Sequence, residues 1–296
     1  MSVPLTWWVW SASTLCGLGA VAWGLRAWGS RRWAAGICAL TRQLESARVA
    51  VRSREAAPLR FEPGELDDLP APVRRYLRTV LKPGQPIVSA VTIEMTGSLN
   101  LSATAERWKP FSSRQRVVTC RPGFLWDACV SLVPGVAVRV VDSCIAGRGL
   151  MRAAVLGVLS VAEVDGEGEI ARGEFMRFCA EAAWYPTALL PRQGVHWEAV
   201  DAHSARACMR DGALSATLTF GFGEDGLIHS VQAAARGAMV DGKVVMLPWD
   251  CRFSNYQKRD EMTVPLAGEA AWVHPEGRRP YFRGTITSLA VEFESC

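Results

Sequence analysis

Histidine is scarce in this chain. His196, His203, His229 and His274 stand alone, so no two occur at metal-ligand or proton-relay spacing, and histidine-based acid–base or zinc chemistry has no support. There is no G-x-S-x-G elbow, no H-E-x-x-H and no dinucleotide fingerprint. Gly147-Arg148-Gly149 lacks the Lys-Ser/Thr that a phosphate loop needs. These gaps argue against the common hydrolase, metalloprotease and nucleotide-binding classes, and the expectation is no cofactor and no metal. Strong net charge is missing too. The formal charge is +4 over 296 residues, which gives no ground for a nucleic-acid partner.

The nine cysteines, at 16, 38, 120, 129, 144, 179, 208, 251 and 296, include no C-x-x-C pair. A disulfide framework would be even in number and usually sits in a shorter chain. The expectation is therefore free, buried thiols in a reducing compartment. Oxidation would leave at least one unpaired.

What is present begins with hydrophobic content of 49%, enough for a sizeable core. Residues 5–25 carry no charge. At about 1.5 Å per residue they match a hydrocarbon core of about 30 Å. Trp7, Trp8 and Trp10 lie at one end; Trp23, Trp28 and Trp33 lie near the other, as membrane interfaces favour. No Lys or Arg precedes the run, so a retained transmembrane helix is expected over a cleaved signal peptide, despite Ala20-Val21-Ala22. Leu15 before Cys16 fits a lipoprotein box poorly. Eight arginines against Glu45 and Glu55 follow between 26 and 60. The flank Arg26, Arg31 and Arg32 places the C-terminal domain in the cytoplasm, on a single-pass membrane protein.

The expected organisation is an anchor over 1–30, then a juxtamembrane helix and Pro-rich linker over 31–70, then a domain over 71–296. The arginines of the juxtamembrane helix could lie against anionic lipid or simply be solvated. Val73, Tyr76, Leu77, Val80 and Leu81 predict a short amphipathic helix. From Val91 the period drops from 3.6 to 2, and strands are predicted at 91–99, 99–108, 112–120, 124–131 and 136–143. Residues 147–163 are apolar nearly all round and are read as a buried helix. After residue 195 the alternation resumes, with Asp211-Gly212, Asp225-Gly226 and Asp241-Gly242 as turn signals. Links of two to five residues make the strands antiparallel. The fold class is mainly β (α+β): a curved antiparallel sheet or half-barrel of about ten or more strands. A helical insert over 145–190 covers its concave face, and one transmembrane helix precedes it.

The stretch 173–201, GEFMRFCAEAAWYPTALLPRQGVHWEAVD, joins helix chemistry to a Trp-bearing strand. Glu174, Arg177 and Glu181 share one helical face, and Met176, Cys179 and Ala183 the other. The charged face is either a solvated stripe or a partly buried set in which Arg177 neutralises Glu181. Pro186 should stop the helix near Trp184 or Tyr185. This run resembles a bacterial family of domains of unknown function. The likeness extends through GFLWDA at 123–128, VVDSCIAGRGLM at 140–151, PWDCRFSNY at 248–256, MTVPLAGEAAW at 262–272 and RRPYFRGTITSL at 278–289. It covers roughly residues 70–294. The resemblance implies no chemistry; its strand pattern is similar to the curved sheet of lipoprotein carriers, which would favour the outer face of the membrane.

Aromatic residues facing an apolar insert suit a pocket for an acyl or other greasy ligand, and they suit a filled core as well. The ligand-contacting candidates are Trp126, Asp142, Arg177, Glu181, Trp184, Tyr185, Trp197, Trp249 and Tyr256. The expected partners are membrane lipid and a hydrophobic small molecule, with the protein partner unknown. Two other readings stay open. One is a structural module of the cell envelope with a filled core; the other is an enzyme using Asp127, Asp142, Arg177 and Glu181.

Overall fold

The computed structural model describes residues 6–51, 59–102, 105–240 and 243–293, with backbone alone at 6–22, 49–51, 239 and 240. Helix α1 (Thr6–Val51) runs unbroken. A 3-10 turn at Pro63–Leu66 leads to α2 (Ala71–Val80). Six strands follow: β1 (Ala90–Asn100), β2 (Trp108–Val118), β3 (Gly123–Val133), β4 (Val136–Ile145), β5 (Arg148–Val155) and β6 (Leu159–Gly166). Helix α3 (Glu169–Ala180) and 3-10 turns at Glu181–Trp184, Pro186–Leu189 and Pro191–Gln193 come next. The chain ends with β7 (His196–Ala199), β8 (Ser204–Asp211), β9 (Leu214–Phe222), β10 (Ile228–Val240), β11 (Lys243–Arg259), β12 (Met262–His274) and β13 (Gly277–Glu292).

All these strands form one 13-stranded sheet, in the order β6-β5-β4-β3-β2-β1-β13-β12-β11-β10-β9-β8-β7. Two meanders are thus joined through β1 and β13, which pair antiparallel from Ala90↔Glu292 to Leu99↔Phe282. Gly97 and Gly284 face each other in that seam. A Cβ on Gly97 would come within 2.0 Å of the Arg283 carbonyl oxygen, so a side chain at this point of the seam would meet the neighbouring backbone.

The period-two reading finds its strands, with one exception in the first meander. Residues 99–108 are not a separate strand: β1 extends to Asn100 and β2 begins at Trp108. The helix expected over 147–163 is instead the β5–β6 hairpin. Ala146 and Gly147 have φ of 51° and 83°, and Leu156 and Gly157 have 53° and 73°. Two successive positive-φ residues make a tight hairpin turn. Ala-Gly and Leu-Gly lack the Asn or Asp that usually announces one, and an apolar run reads equally as buried helix or strand. The Asp241-Gly242 turn lies outside the described residues, although β10 and β11 pair on either side of it.

α3 lies over the concave face and packs on β5, β9 and β10, strands from both arms of the sheet. A Cβ on Gly149 of β5 would come within 2.9 Å of the Ala171 backbone. On the other arm, Arg236 Nε donates to the Gly173 carbonyl at 3.0 Å. The concave core contains Phe124, Phe175, Tyr185, Leu189, Leu190 and Phe220, all essentially fully buried.

α1 takes the outer face. Because side chains alternate along a strand, Leu125 and Val141 point to α1, where Trp33, Ile37, Leu40 and Leu44 meet them. Trp33 Nε1 donates to Asp127 Oδ1 at 2.9 Å. Arg116 of β2 bonds Glu45 of α1 at 2.7 Å and Glu292 of β13 at 2.5 Å. Of residues 31–55, read as a juxtamembrane helix, 31–51 are helical and lie along the sheet, and 52–55 are outside the described residues. Leu5 of the expected span is outside the described residues, as are the side chains of 6–22. Among the described residues no helix is long and apolar enough to cross a membrane.

The expectation of nine reduced cysteines fails at Cys120, which is disulfide-bonded. Cys38, Cys129, Cys144, Cys179, Cys208 and Cys251 are free.

Leu44 is 1% exposed in the contact between α1 and the sheet. Leu44→Ala should lower the unfolding free energy by about 2–5 kcal/mol, read from the urea midpoint of the full chain. A shift below roughly 0.5 kcal/mol, the usual range for a surface substitution, would show that α1 is not part of the cooperative unit.

Candidate ligand cavity

Helix α3 carries charge into the concave core because its other faces are apolar and packed. Glu174 and Glu181 are each 9% exposed, so the stripe that could have been solvated is buried. Arg177, one helical turn before Glu181, holds the group together. Its Nε donates to Glu181 Oε1 at 2.8 Å, Nη1 to Asp142 Oδ2 at 2.8 Å and Nη2 to Gln115 Oε1 at 3.4 Å. Gln115 Nε2 in turn donates to Glu181 Oε2 at 2.5 Å. The guanidinium lies over the rings of Phe124 and Trp126, at 4.8 and 5.0 Å from their centroids.

A second cation sits nearby. Arg236 of β10 is buried, with Nη2 3.6 Å from Glu174 Oε1 and Nη1 3.4 Å from the Tyr281 hydroxyl. Its guanidinium lies 4.5 Å from the Trp249 ring centre. The Tyr281 hydroxyl also accepts from Trp249 Nε1 at 2.9 Å. Two stacked Arg–Trp pairs therefore flank one space.

That space is a cavity of about 200 Å³. Leu99, Val140, Trp126, Trp184, Trp249 and Phe253 give it apolar walls, while Asp142, Arg177, Glu181 and Arg236 give it a polar side. Trp184 is held edge-on against Phe253, ring centres 5.8 Å apart. Three buried polar atoms of this region make no hydrogen bond: Trp184 Nε1, Asp142 Oδ1 and Glu174 Oε2. Native structures leave few such atoms; Trp184 and Asp142 line the cavity, so one donor and one acceptor stand ready beside an apolar space.

Burial raises the Asp142 carboxyl above its ordinary range, and Arg177 and Arg236 offset part of the rise. Burial, then the charge on Asp142, pushes Glu174 up to about 8. Burial opposes the charge on Arg177, but Glu181 and Asp142 outweigh it and keep the guanidinium protonated. Burial also raises the Cys251 thiol on the cavity wall, and a protonated thiol is a poor nucleophile.

Of the nine ligand-contacting candidates, the structure brings Trp126, Asp142, Arg177, Glu181, Trp184 and Trp249 to the cavity. Three others are packed elsewhere. Tyr185 donates to the Phe178 carbonyl at 2.6 Å, Trp197 to that of Leu189 at 3.0 Å and Tyr256 to that of Ile228 at 2.7 Å. Asp127 faces α1 and pairs with Arg139 at 2.8 Å, so it is separated from the other acids by the sheet. His196, His203 and His229 are exposed. Sequence reasoning missed Arg236, Tyr281 and Phe253. The available signal for Arg236 was one charge among Ala233, Ala234, Ala235, Gly237 and Ala238.

Glu174 generates a pH prediction. The folded chain keeps its proton until about pH 8, whereas an unfolded one releases it near 4.5. Between those values the unfolded state binds fewer protons, so stability falls as pH rises. Glu174→Gln should flatten that decline, read as unfolding free energy against pH. An unchanged slope would show that Glu174 is ionised in the fold.

No curated protein matches the chain. Among solved structures, a LolA superfamily protein from Nitrosomonas europaea is similar at 10% identity over 75% of this chain and 92% of that one, with a TM-score of 0.33. A beta-barrel-like protein of the domain of unknown function DUF1849, from Brucella abortus, is also 10% identical. There the likeness covers 70% of this chain and 98% of that one, with a TM-score of 0.24. A family of unknown function, DUF6920, matches residues 67–291, well over half of the sequence, and the chain belongs to that family.

Proposed function

We propose that the domain binds a lipid-like or other hydrophobic ligand between the curved sheet and the α3 segment, without covalent chemistry. The observation that carries this is the cavity of about 200 Å³, with its tryptophan walls and the unpartnered Trp184 Nε1. Apolar walls with a few fixed polar groups suit ligand burial. The ion network supports binding over catalysis: Arg177 engages both Asp142 and Glu181, and Asp127 is not in reach.

In this proposal α1 tethers the domain to a membrane. Support comes from the uncharged residues 5–25 and the arginines that follow. The same arginines, together with the six free thiols, support a cytoplasmic β domain; the bonded Cys120 argues for the other face. A membrane-impermeant maleimide applied to intact cells should leave Cys208 unlabelled. Labelling of Cys208 before lysis would put the domain outside.

Ligand binding is tested by native mass spectrometry of the purified full chain and by titration with a fluorescent fatty acid. Ala270 lines the cavity. Ala270→Phe should fill it and weaken the fatty acid about tenfold or more, equivalent to about 1.4 kcal/mol. Equal affinity of the two proteins, with no co-purified lipid in the wild type, would defeat the reading.

A further inference from the structure

We propose that the cavity takes the uncharged, hydroxyl-bearing end of its ligand and rejects carboxylate and ammonium ends. This rests on the hydrophobic-ligand reading of the site and adds which head group its polar side admits. Five charged side chains line the space: Asp142, Arg177, Glu181, Arg236 and Glu269. Each is already matched. Arg177 is 2.8 Å from both Asp142 and Glu181. Arg236 is 3.6 Å from Glu174, an acid outside the lining. Glu269 is held by Arg278 and Arg283.

The count leaves nothing over for a charged ligand. Asp142, Glu174 and Glu181 face two guanidiniums, and Glu174 keeps its proton up to about pH 8. At neutral pH two positive charges therefore meet two negative ones. A ligand carboxylate would add negative charge beside Asp142 and Glu181, and among the described residues the lining has no unmatched cation to receive it. A ligand ammonium would meet Arg177 and Arg236. Either charge would be buried without a partner, which costs far more than burying a neutral group.

What the lining leaves open is hydrogen bonding. Trp184 is 3% exposed, and its Nε1 has no acceptor. Its ring is packed against Phe253 and against the bare backbone of Gly268, where a Cβ would come within 3.1 Å, so the N–H is held in place. Asp142 Oδ2 accepts from Arg177, and Oδ1 has no donor. A hydroxyl both accepts and donates, so it suits either atom. An ether or ester oxygen suits the N–H alone, and hydrocarbon suits neither.

The test uses four photoreactive alkyl diazirines of one chain length, three ending in a hydroxyl, a carboxylate or an ammonium and one without a head group. The chain is short, because a cavity of about 150 Å³ takes a benzene ring and this one is about 200 Å³. Each probe is irradiated with the full chain at pH 7. Adducts on the peptides holding Asp142, Trp249 and Phe253 are counted by mass against adducts elsewhere in the chain. The hydroxyl probe should label these peptides about tenfold more than either charged probe, and more than the headless one. Trp184→Phe keeps a ring and removes the N–H. It should bring the hydroxyl probe down to the headless level and leave headless labelling unchanged, which shows the cavity intact. Charged probes labelling as well as the hydroxyl probe, or a hydroxyl preference that survives Trp184→Phe, would overturn the head-group assignment and leave hydrophobic binding standing. Cavity labelling by none of the four would overturn both.

Discussion

Everything in the concave core is arranged around the charge of Arg177. A buried guanidinium is tolerated only when its donors are met. Here Asp142 from β4, Glu181 from the turn after α3 and Gln115 from β2 meet them. The cluster therefore ties one helix to two non-neighbouring strands. It does so where the ring faces of Phe124 and Trp126 supply further attraction. Removing one partner would leave charge stranded in an apolar medium, which costs more than the pair contributes. Such a cluster makes a weak case for stability and a stronger one for holding α3 in a single place.

The placement of α3 determines the empty space. The helix spans from Gly149 on one arm of the sheet to Arg236 on the other. The turns after it lower Trp184 toward Phe253. Where α3 and these turns touch the sheet, the interior is filled by Phe175, Phe178, Tyr185 and Leu189. Where the two Arg–Trp stacks hold the walls apart, it is not. Large planar side chains fixed by cation contacts cannot collapse into the gap, and the cavity remains. Cavity and filled core, opposed alternatives at the level of composition, coexist in adjacent parts of one interior.

The outer face obeys the same alternation with other partners. Asp127 and Trp126 are neighbours in β3, yet one bonds Trp33 of α1 and the other faces Arg177. That separation explains why the acids at 127 and 142 never meet. It also gives the sheet two cores, one under α3 and one under α1.

Much of this was legible from residues alone. Period-two alternation marked β1 through β4 and β8 through β10, and short links made them antiparallel. Pro186 kept Tyr185 out of helical geometry, as the residue before a proline tends to be, although α3 had already closed at Ala180 and 3-10 turns lie on both sides of Tyr185. The pairing of Arg177 with Glu181 was open to reading because four-residue spacing is a local property of a helix. The hairpin at 146–166 was not legible, since Val, Leu and Ala in an unbroken apolar run satisfy strand and helix equally. Nor was Arg236, a single cation in a strand whose importance depends on a helix some sixty residues away. The sequence by itself determined the class of element along most of the chain and the antiparallel sense of the sheet, because periodicity and turn chemistry act between near neighbours. Only the tertiary structure decided which tryptophans border open space and which are packed, because that depends on how α3 settles across two arms of a sheet that meet far apart in sequence.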